Sequence, residues 1–265
     1  AAESHVDRSI LEPTAFLHTG VMGVYTLLEA ARIESERRDG FRLLQVSTDE
    51  VYGPVLEGLS VESDPIRPTS PYSAAKAAGD HLVAAYHETH GLDVVITRGA
   101  NTYGPNQYPE KLIPLFVTNA LDDEQLPMYG DGMQRRDWLY VADHADGIAT
   151  ALDRGAPGEA YNICGDGVER PNRAVTEAIL EHLGKPWSLV RTVPDRPGHD
   201  RRYALDGSKL KALGWEPRVS FDVGIALTVD WYGAHRDWWE PIKSGDWHDY
   251  YHAQYAWRLE QSTDA

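Results

Sequence analysis

A chain of 265 residues, 42% of them hydrophobic, is long enough for one large or two modest cores, and its formal net charge of −16 argues against binding nucleic acid or an anionic membrane through its overall field. An anionic ligand would therefore need local positive charge. The one cysteine, Cys164, permits no internal disulfide and has no zinc-ligand spacing around it, which points to a reducing cytoplasm and no metal; no apolar run approaches the ~20 residues of a bilayer span, and no signal-peptide pattern opens the chain.

From about Thr14 to Arg38, Phe16, Val21, Val24, Leu27, Leu28 and Ala31 recur at helical spacing and Gly40 follows the charged end, which predicts a packing helix. Phe41 to Val46 is short and apolar enough for a buried parallel strand, and Gly53-Pro54 forces a turn soon after it. Thr48, Asp49 and Glu50 should then sit at the strand's carboxyl end, where open α/β sheets bind ligands; a loop of solvated charges is the plainer reading of the acidic pair alone. About twenty residues on, Tyr72-Ser73-Ala74-Ala75-Lys76 starts a helix running to about His90, and the four-residue spacing puts Tyr72 and Lys76 on one face. A tyrosine used as a base near neutral pH needs its pKa of ~10 lowered by ~3 units, and a neighbouring ammonium can supply part of that.

Val94 to Arg98 reads as another buried strand, so strand and helix alternate as in a parallel sheet, and its end carries Gly99-Ala100-Asn101-Thr102-Tyr103-Gly104-Pro105. Tyr108 to Pro114 leads into a short helix, and Leu126-Pro127-Met128-Tyr129-Gly130 suggests a small strand. Arg135-Arg136-Asp137-Trp138 is a basic point suited to phosphate oxygens, or to a surface salt bridge. A helix over Val141 to Arg154, a strand over Ala160 to Gly165, a helix from Pro171 to Leu183 and a strand from Ser188 to Val193 follow. The next stretch, Pro194 to Tyr203, is a proline-fixed loop in which Arg196, His199 and Arg202 bring positive charge into an acidic protein, unless they are simply solvated. Beyond Asp230 lie five of the eight tryptophans: Trp231, Trp238, Trp239, Trp247 and Trp257. Their roughly helical spacing favours packing on a small lobe over an exposed interface.

A strand ending in Ser47-Thr48 followed by Tyr72-x-x-x-Lys76 resembles the extended short-chain dehydrogenase/reductase family, and the run Ser47-Thr48-Asp49-Glu50-Val51-Tyr52-Gly53 resembles its nucleoside-diphosphate-sugar 4,6-dehydratases. The resemblance implies an α/β fold: a Rossmann-like parallel sheet with helices on both faces, over residues 1–103 and 138–164, plus a smaller nucleotide-sugar-binding lobe over 104–137 and 165–265. It implies an NAD-dependent lyase that oxidises C4 of dTDP-glucose, eliminates water across C5 and C6 and returns hydride to C6, working as a homodimer through two helices per subunit.

Residue by residue, the resemblance makes Thr48, Asp49, Glu50, Tyr72 and Lys76 catalytic, with Lys76 supporting the Tyr72 base, Glu50 acting as base at C5 and Asp49 as acid at O6. It sets Ala1, Ala2, Glu3, Ser4, Thr19, Tyr72, Lys76 and Thr102 against the cofactor; Thr102 stands where the family often has Asn. It sets Ser4, Thr48, Asn101, Lys111, Leu112, Pro127, Met128, Tyr129, Arg136, Asn162, Asp195, Arg196 and His199 against the nucleotide sugar, with Arg202 in the same clamping loop. No G-x-G-x-x-G occurs, so the expectation is a chain that enters a dinucleotide fold partway and by itself binds NAD poorly. A nucleotide-sugar epimerase or decarboxylase shares the tyrosine and lysine but leaves Asp49 and Glu50 together unexplained; a non-catalytic nucleotide-sugar binder is the alternative from another class.

Overall fold

The structure, a computed structural model, describes residues 2–264 apart from the side chains at 246 and 264. The chain opens with α1 (Val6–Leu11) and α2 (Thr14–Leu17), then passes through a π-turn, His18–Met22, into α3 (Gly23–Ser35). The predicted packing helix thus exists, with one wide turn inside it. A π-turn inserts a residue into the helical ladder and often marks a functional site. Here it brings Gly20 so close to the next long helix that a Cβ on Gly20 would lie 3.0 Å from the Ala75 side chain.

β1 (Leu43–Thr48), β2 (Val94–Gly99) and β6 (Ala160–Ile163) form a parallel sheet in the order β1–β2–β6, with Leu43 opposite Val94 and Ile96 opposite Ala160. All of β2 is buried, as predicted. β1 is not: Val46 is exposed, because among the described residues no strand pairs with the β1 edge away from β2. Helices cover both faces. α3 and α4 (Pro71–His90) pack Val24, Leu28 and Val83 against Val94 and Ile96. On the other side α6 (Val141–Arg154) and α8 (Ser208–Lys211) contribute Ala151 and Leu210 to a cluster with Val95, Ile163 and Trp215. Residues 205–215 therefore return to this first core, and a boundary at 165 does not separate the two lobes by packing.

β3 (Asn101–Tyr103) pairs with β5 (Arg135–Tyr140) in parallel, and β5 with β7 (Glu169–Pro171) antiparallel; β4 (Leu126–Tyr129) pairs with β8 (Val190–Val193), which also takes β9 (Thr263–Asp264). Around these strands, α5 (Leu112–Leu121), α7 (Asn172–Leu183), α9 (Phe221–Ala234), α10 (Arg236–Ser244) and α11 (Asp246–Glu260) enclose a second core. Trp239 and Trp247 are buried in it and Trp231 and Trp238 pack against it, whereas Trp257 stays exposed, so the tryptophan-rich tail is mostly packing on the smaller lobe. Among the described residues no helix is long and apolar enough to cross a membrane, and no cluster of His, Cys, Asp and Glu could hold a metal.

Candidate active site

β1 ends on Thr48, whose hydroxyl accepts the Glu50 N–H at 3.3 Å and so caps a tight helical turn over Asp49–Tyr52. Satisfying an orphan N–H in this way starts the turn at the sheet's edge. Gly53 closes it at φ 76°, where a Cβ would strike the Arg67 carbonyl at 2.4 Å. Three consecutive residues are thereby held at the carboxyl end of the sheet. Asp49 is buried and takes a hydrogen bond from the Thr48 hydroxyl at 3.2 Å. α4 starts beside them: Ser70 and Ser73 form a capping box, Pro71 takes the first turn, and Tyr72 and Lys76 fall on the same face.

These groups line a cleft of about 860 Å³ together with Ala2, Glu3, Ser4, Thr19, Asn101, Thr102, Gln107 and His144. Ala1 lies outside the described residues. The Thr19 hydroxyl accepts the Glu3 N–H at 3.3 Å, which ties the π-turn to the segment running into α1. A smaller cavity of about 160 Å³ is lined by Lys111, Leu112, Pro127, Met128, Tyr129, Arg136, Arg196 and His199 on the second lobe. Glu50, Asn101 and Lys111 line both spaces, so the two meet at the carboxylate after Asp49.

The charges in this seam are strongly perturbed. Burial, then the adjacent Glu50 carboxylate, push the Asp49 carboxyl up to about 7 against the pull of Arg136. Burial also raises Glu50, but Arg196, Lys111 and Arg136 all favour its charged form. Two neighbouring acids with different cation environments can hold opposite protonation states. Lys111 and Arg136 are in turn lowered by burial, as cations withdrawn from water are.

Several expected roles change. Burial and the Glu50 carboxylate raise the Tyr72 phenol well above its ordinary value, and the Thr48 hydroxyl opposes them. The Lys76 ammonium instead donates to the Val46 carbonyl at 2.5 Å, because that β1 carbonyl lies at the open edge of the sheet. Electrostatic support of Tyr72 by Lys76 is therefore not the arrangement found. Asn162 lines neither space: it accepts the Tyr52 hydroxyl at 2.9 Å and donates to the Ser60 and Asp206 carbonyls, making it a buried tie from β6 to its flanking segments. Arg202 is held by Glu169 and by the Val55 and Gly58 carbonyls, away from the cavity. Asp195 stands behind the lining, bonding His199 at 2.6 Å and Gln134 at 2.9 Å.

The structure also brings in residues that the sequence pattern did not single out. Asn172, the first residue of α7, lines the smaller cavity with Asp7, Trp138, Tyr203 and Tyr255. A polar side chain opening a helix after a short strand was the available signal, since helix N-termini attract anions. His144, within α6, lines the larger cleft, 2.7 Å from the Thr102 hydroxyl.

A parallel sheet whose carboxyl edge carries a threonine, two carboxylates and a tyrosine–lysine helix, facing a cation-lined cavity on a second lobe, defines an α/β enzyme of the dehydrogenase/reductase class acting on an anionic substrate. The sequence family model described as GDP-mannose 4,6 dehydratase matches residues 1–228. The chain is 54% identical over 247 residues to a dTDP-glucose 4,6-dehydratase of Streptomyces niveus, covering 93% of this chain and 72% of that protein. Among solved structures it is similar to the DesIV dTDP-glucose 4,6-dehydratase double mutant of Streptomyces venezuelae with NAD and DAU bound, at a TM-score of 0.88 and 53% identity over 92% of this chain and 74% of that one. A UDP-glucose 4-epimerase of Thermus thermophilus in complex with NAD is also similar, at a TM-score of 0.82 and 36% identity over 89% of this chain and 76% of that one. The chain belongs to the GDP-mannose 4,6 dehydratase family.

Proposed function

We propose that this chain dehydrates dTDP-glucose to dTDP-4-keto-6-deoxyglucose with NAD as recycled cofactor. The observation that carries the reading is the pairing of Asp49, pushed up to about 7, with Glu50, faced by three cations, where the larger cleft meets the cavity. The similarity to dTDP-glucose 4,6-dehydratases supports it. The residues present fit the reacting end of NAD: Thr19, Tyr72, Lys76 and Thr102 line the larger cleft, and the buried Asn101 Oδ1 and Gln107 Oε1 have no partner there. When bound, NAD would supply a hydride acceptor and donor and a cationic ring whose charge favours the Tyr72 phenolate.

Tyr72 takes the proton from the sugar O4, with the Thr48 hydroxyl steadying its oxygen. Once C4 is a ketone the C5 hydrogen is acidic, and Glu50 removes it as a carboxylate. Asp49 gives its proton to O6, which leaves as water. Lys111, Arg136, Arg196 and the Asn172 side chain are suited to the diphosphate, and Pro127 to Tyr129 to the base and sugar. The likeness to a UDP-glucose 4-epimerase supports a second reading, epimerisation, which gives Asp49 and Glu50 no elimination to perform.

A homodimer is supported by the apolar side chains Met22, Tyr25 and Ile33 exposed in and near α3, and a cytoplasmic location by the single buried cysteine. The test of function supplies saturating NAD with dTDP-glucose, UDP-glucose or GDP-mannose and reads the sugar nucleotide by mass spectrometry. Loss of one water from dTDP-glucose is the expected result. A product of unchanged mass would favour epimerisation, and no product from any substrate would overturn both readings.

A further inference from the structure

The nucleotide-facing loop and the catalytic helix meet at one carboxylate. Asp200 is buried at 9% exposure, and its Oδ2 accepts two hydroxyls: Thr69 Oγ1 at 2.5 Å and Tyr203 Oη at 2.5 Å. Its backbone carbonyl accepts Arg136 Nη2 at 2.8 Å. The Arg136 guanidinium in turn lies 4.4 Å over the Tyr203 ring, and both side chains line the cavity suited to the diphosphate. Thr69 precedes Ser70, the residue that caps α4, and Tyr72 is the second residue of that helix. Of the loop's other tethers, Arg202 on the Val55 and Gly58 carbonyls leads to a surface segment, whereas Arg196 pairs with Asp7 of α1, whose Ser9 hydroxyl accepts the Tyr72 N–H at 3.2 Å; Thr69 is the contact that joins Asp200 itself to the start of α4.

We propose that Asp200 is a positioning residue that transmits occupancy of the nucleotide cavity, through Thr69, to the N-terminus of α4 and so to the placement of Tyr72. The inference rests on the proposed dehydration and adds a role to a residue that touches neither substrate nor cofactor. An anion drawing Arg136 and Tyr203 inward pulls on Asp200 at both its carbonyl and its carboxylate. Thr69 follows through its hydroxyl. Binding energy from the non-reacting nucleotide is thereby used to orient the reacting groups, and a displacement of about 1 Å in such a group can cost about 100-fold in rate.

The test compares Thr69→Val, which removes one hydroxyl outside the cavity, with Thr69→Ser, which keeps it. Backbone hydrogen exchange over residues 69–76 and 195–203 is followed with and without dTDP, beside the dTDP Kd, kcat with dTDP-glucose, and the melting temperature. Wild type should gain protection in both segments. Thr69→Val should keep the gain in the loop, the Kd and the melting temperature, lose the gain in 69–76, and fall by up to about 100-fold in kcat. Thr69→Ser should restore both. Wild-type protection and kcat in Thr69→Val would overturn the inference, as would a kcat loss that only tracks a lowered melting temperature. A wild-type chain that binds no dTDP would overturn the proposed function itself and remove the inference with it.

Discussion

The two halves of the site are built in different ways. In the larger cleft, the reacting groups come from two local stretches: Thr48, Asp49 and Glu50 are consecutive, and Tyr72 and Lys76 are one helical turn apart. In the smaller cavity, the cations arrive from distant segments and are already occupied. Arg196 pairs with Asp7 at 3.2 Å, the Lys111 ammonium donates to the Ser4 carbonyl, and Arg136 is held by Asp200. On the proposed function a diphosphate competes with Asp7 for Arg196, whereas Asp49 and Glu50 have no ion pair of their own to break among the described residues. Reactivity here is set by a few neighbouring residues, and affinity by long-range contacts that can be weakened one at a time.

The largest effects should come from the local stretches. Tyr72→Phe removes the proposed O4 base, and turnover of dTDP-glucose should fall about 10²- to 10⁴-fold, with no bound NADH appearing on a stopped-flow absorbance trace. Asp49→Asn and Glu50→Gln should lose product formation to a similar degree yet still reduce bound NAD, because Thr48 and Tyr72 are untouched. Product at wild-type rates from either amide variant would end the elimination mechanism.

Arg196→Ala probes the assembled half. Charge-assisted hydrogen bonds contribute about 1.5–3 kcal/mol, so the dTDP Kd measured by calorimetry should rise about 10- to 100-fold. Asp7→Asn removes the competing carboxylate and should move the Kd the other way. An unchanged Kd in both variants would mean that Arg196 is a structural counter-ion to Asp7 and nothing more.

Asn162→Ala sharpens the comparison from outside the site. It strips partners from Tyr52 and from the Ser60 and Asp206 carbonyls, and leaving a buried polar group unpaired costs about 1–3 kcal/mol. Chemical denaturation should register that loss while the dTDP Kd stays at the wild-type value; a weakened Kd with unchanged stability would return Asn162 to the substrate.

The smallest effect is the pH dependence. With its carboxyl at about 7, Asp49 is protonated below that value, so if it is the proposed general acid kcat should decline as pH rises through it. The stability sign is the same. Between the ordinary Asp value of about 4 and about 7, the native chain keeps a proton that the unfolded chain has lost, so this group makes stability fall as pH rises across that window. Glu50→Gln removes the like charge, and the Asp49 titration followed by infrared spectroscopy should move down. An unmoved midpoint would leave burial and the Asp137 carboxylate as the causes.

The elements, and the places of the residues proposed to react, were legible in the sequence. The strand ending on Thr48, the helix from Pro71 to His90 and the buried strand at Val94 are local matters of apolar run, cap and turn, and motifs carried within a few residues keep their meaning wherever the chain goes. Tertiary structure decided everything that depends on what stands opposite. It put Asn172, just after β7, in the cavity, and turned the side chain of Asn162, within β6, to the Tyr52 hydroxyl and the Ser60 and Asp206 carbonyls. It engaged Lys76 with a β1 carbonyl and sent residues 205–215 back to the first core. Burial and the sign of the nearest charge set an ionisable group's state, and neither is a property of sequence spacing: Asp49 and Glu50 are adjacent in the chain, but only the folded protein turns three cations from the second lobe toward Glu50 and leaves Asp49 with Arg136.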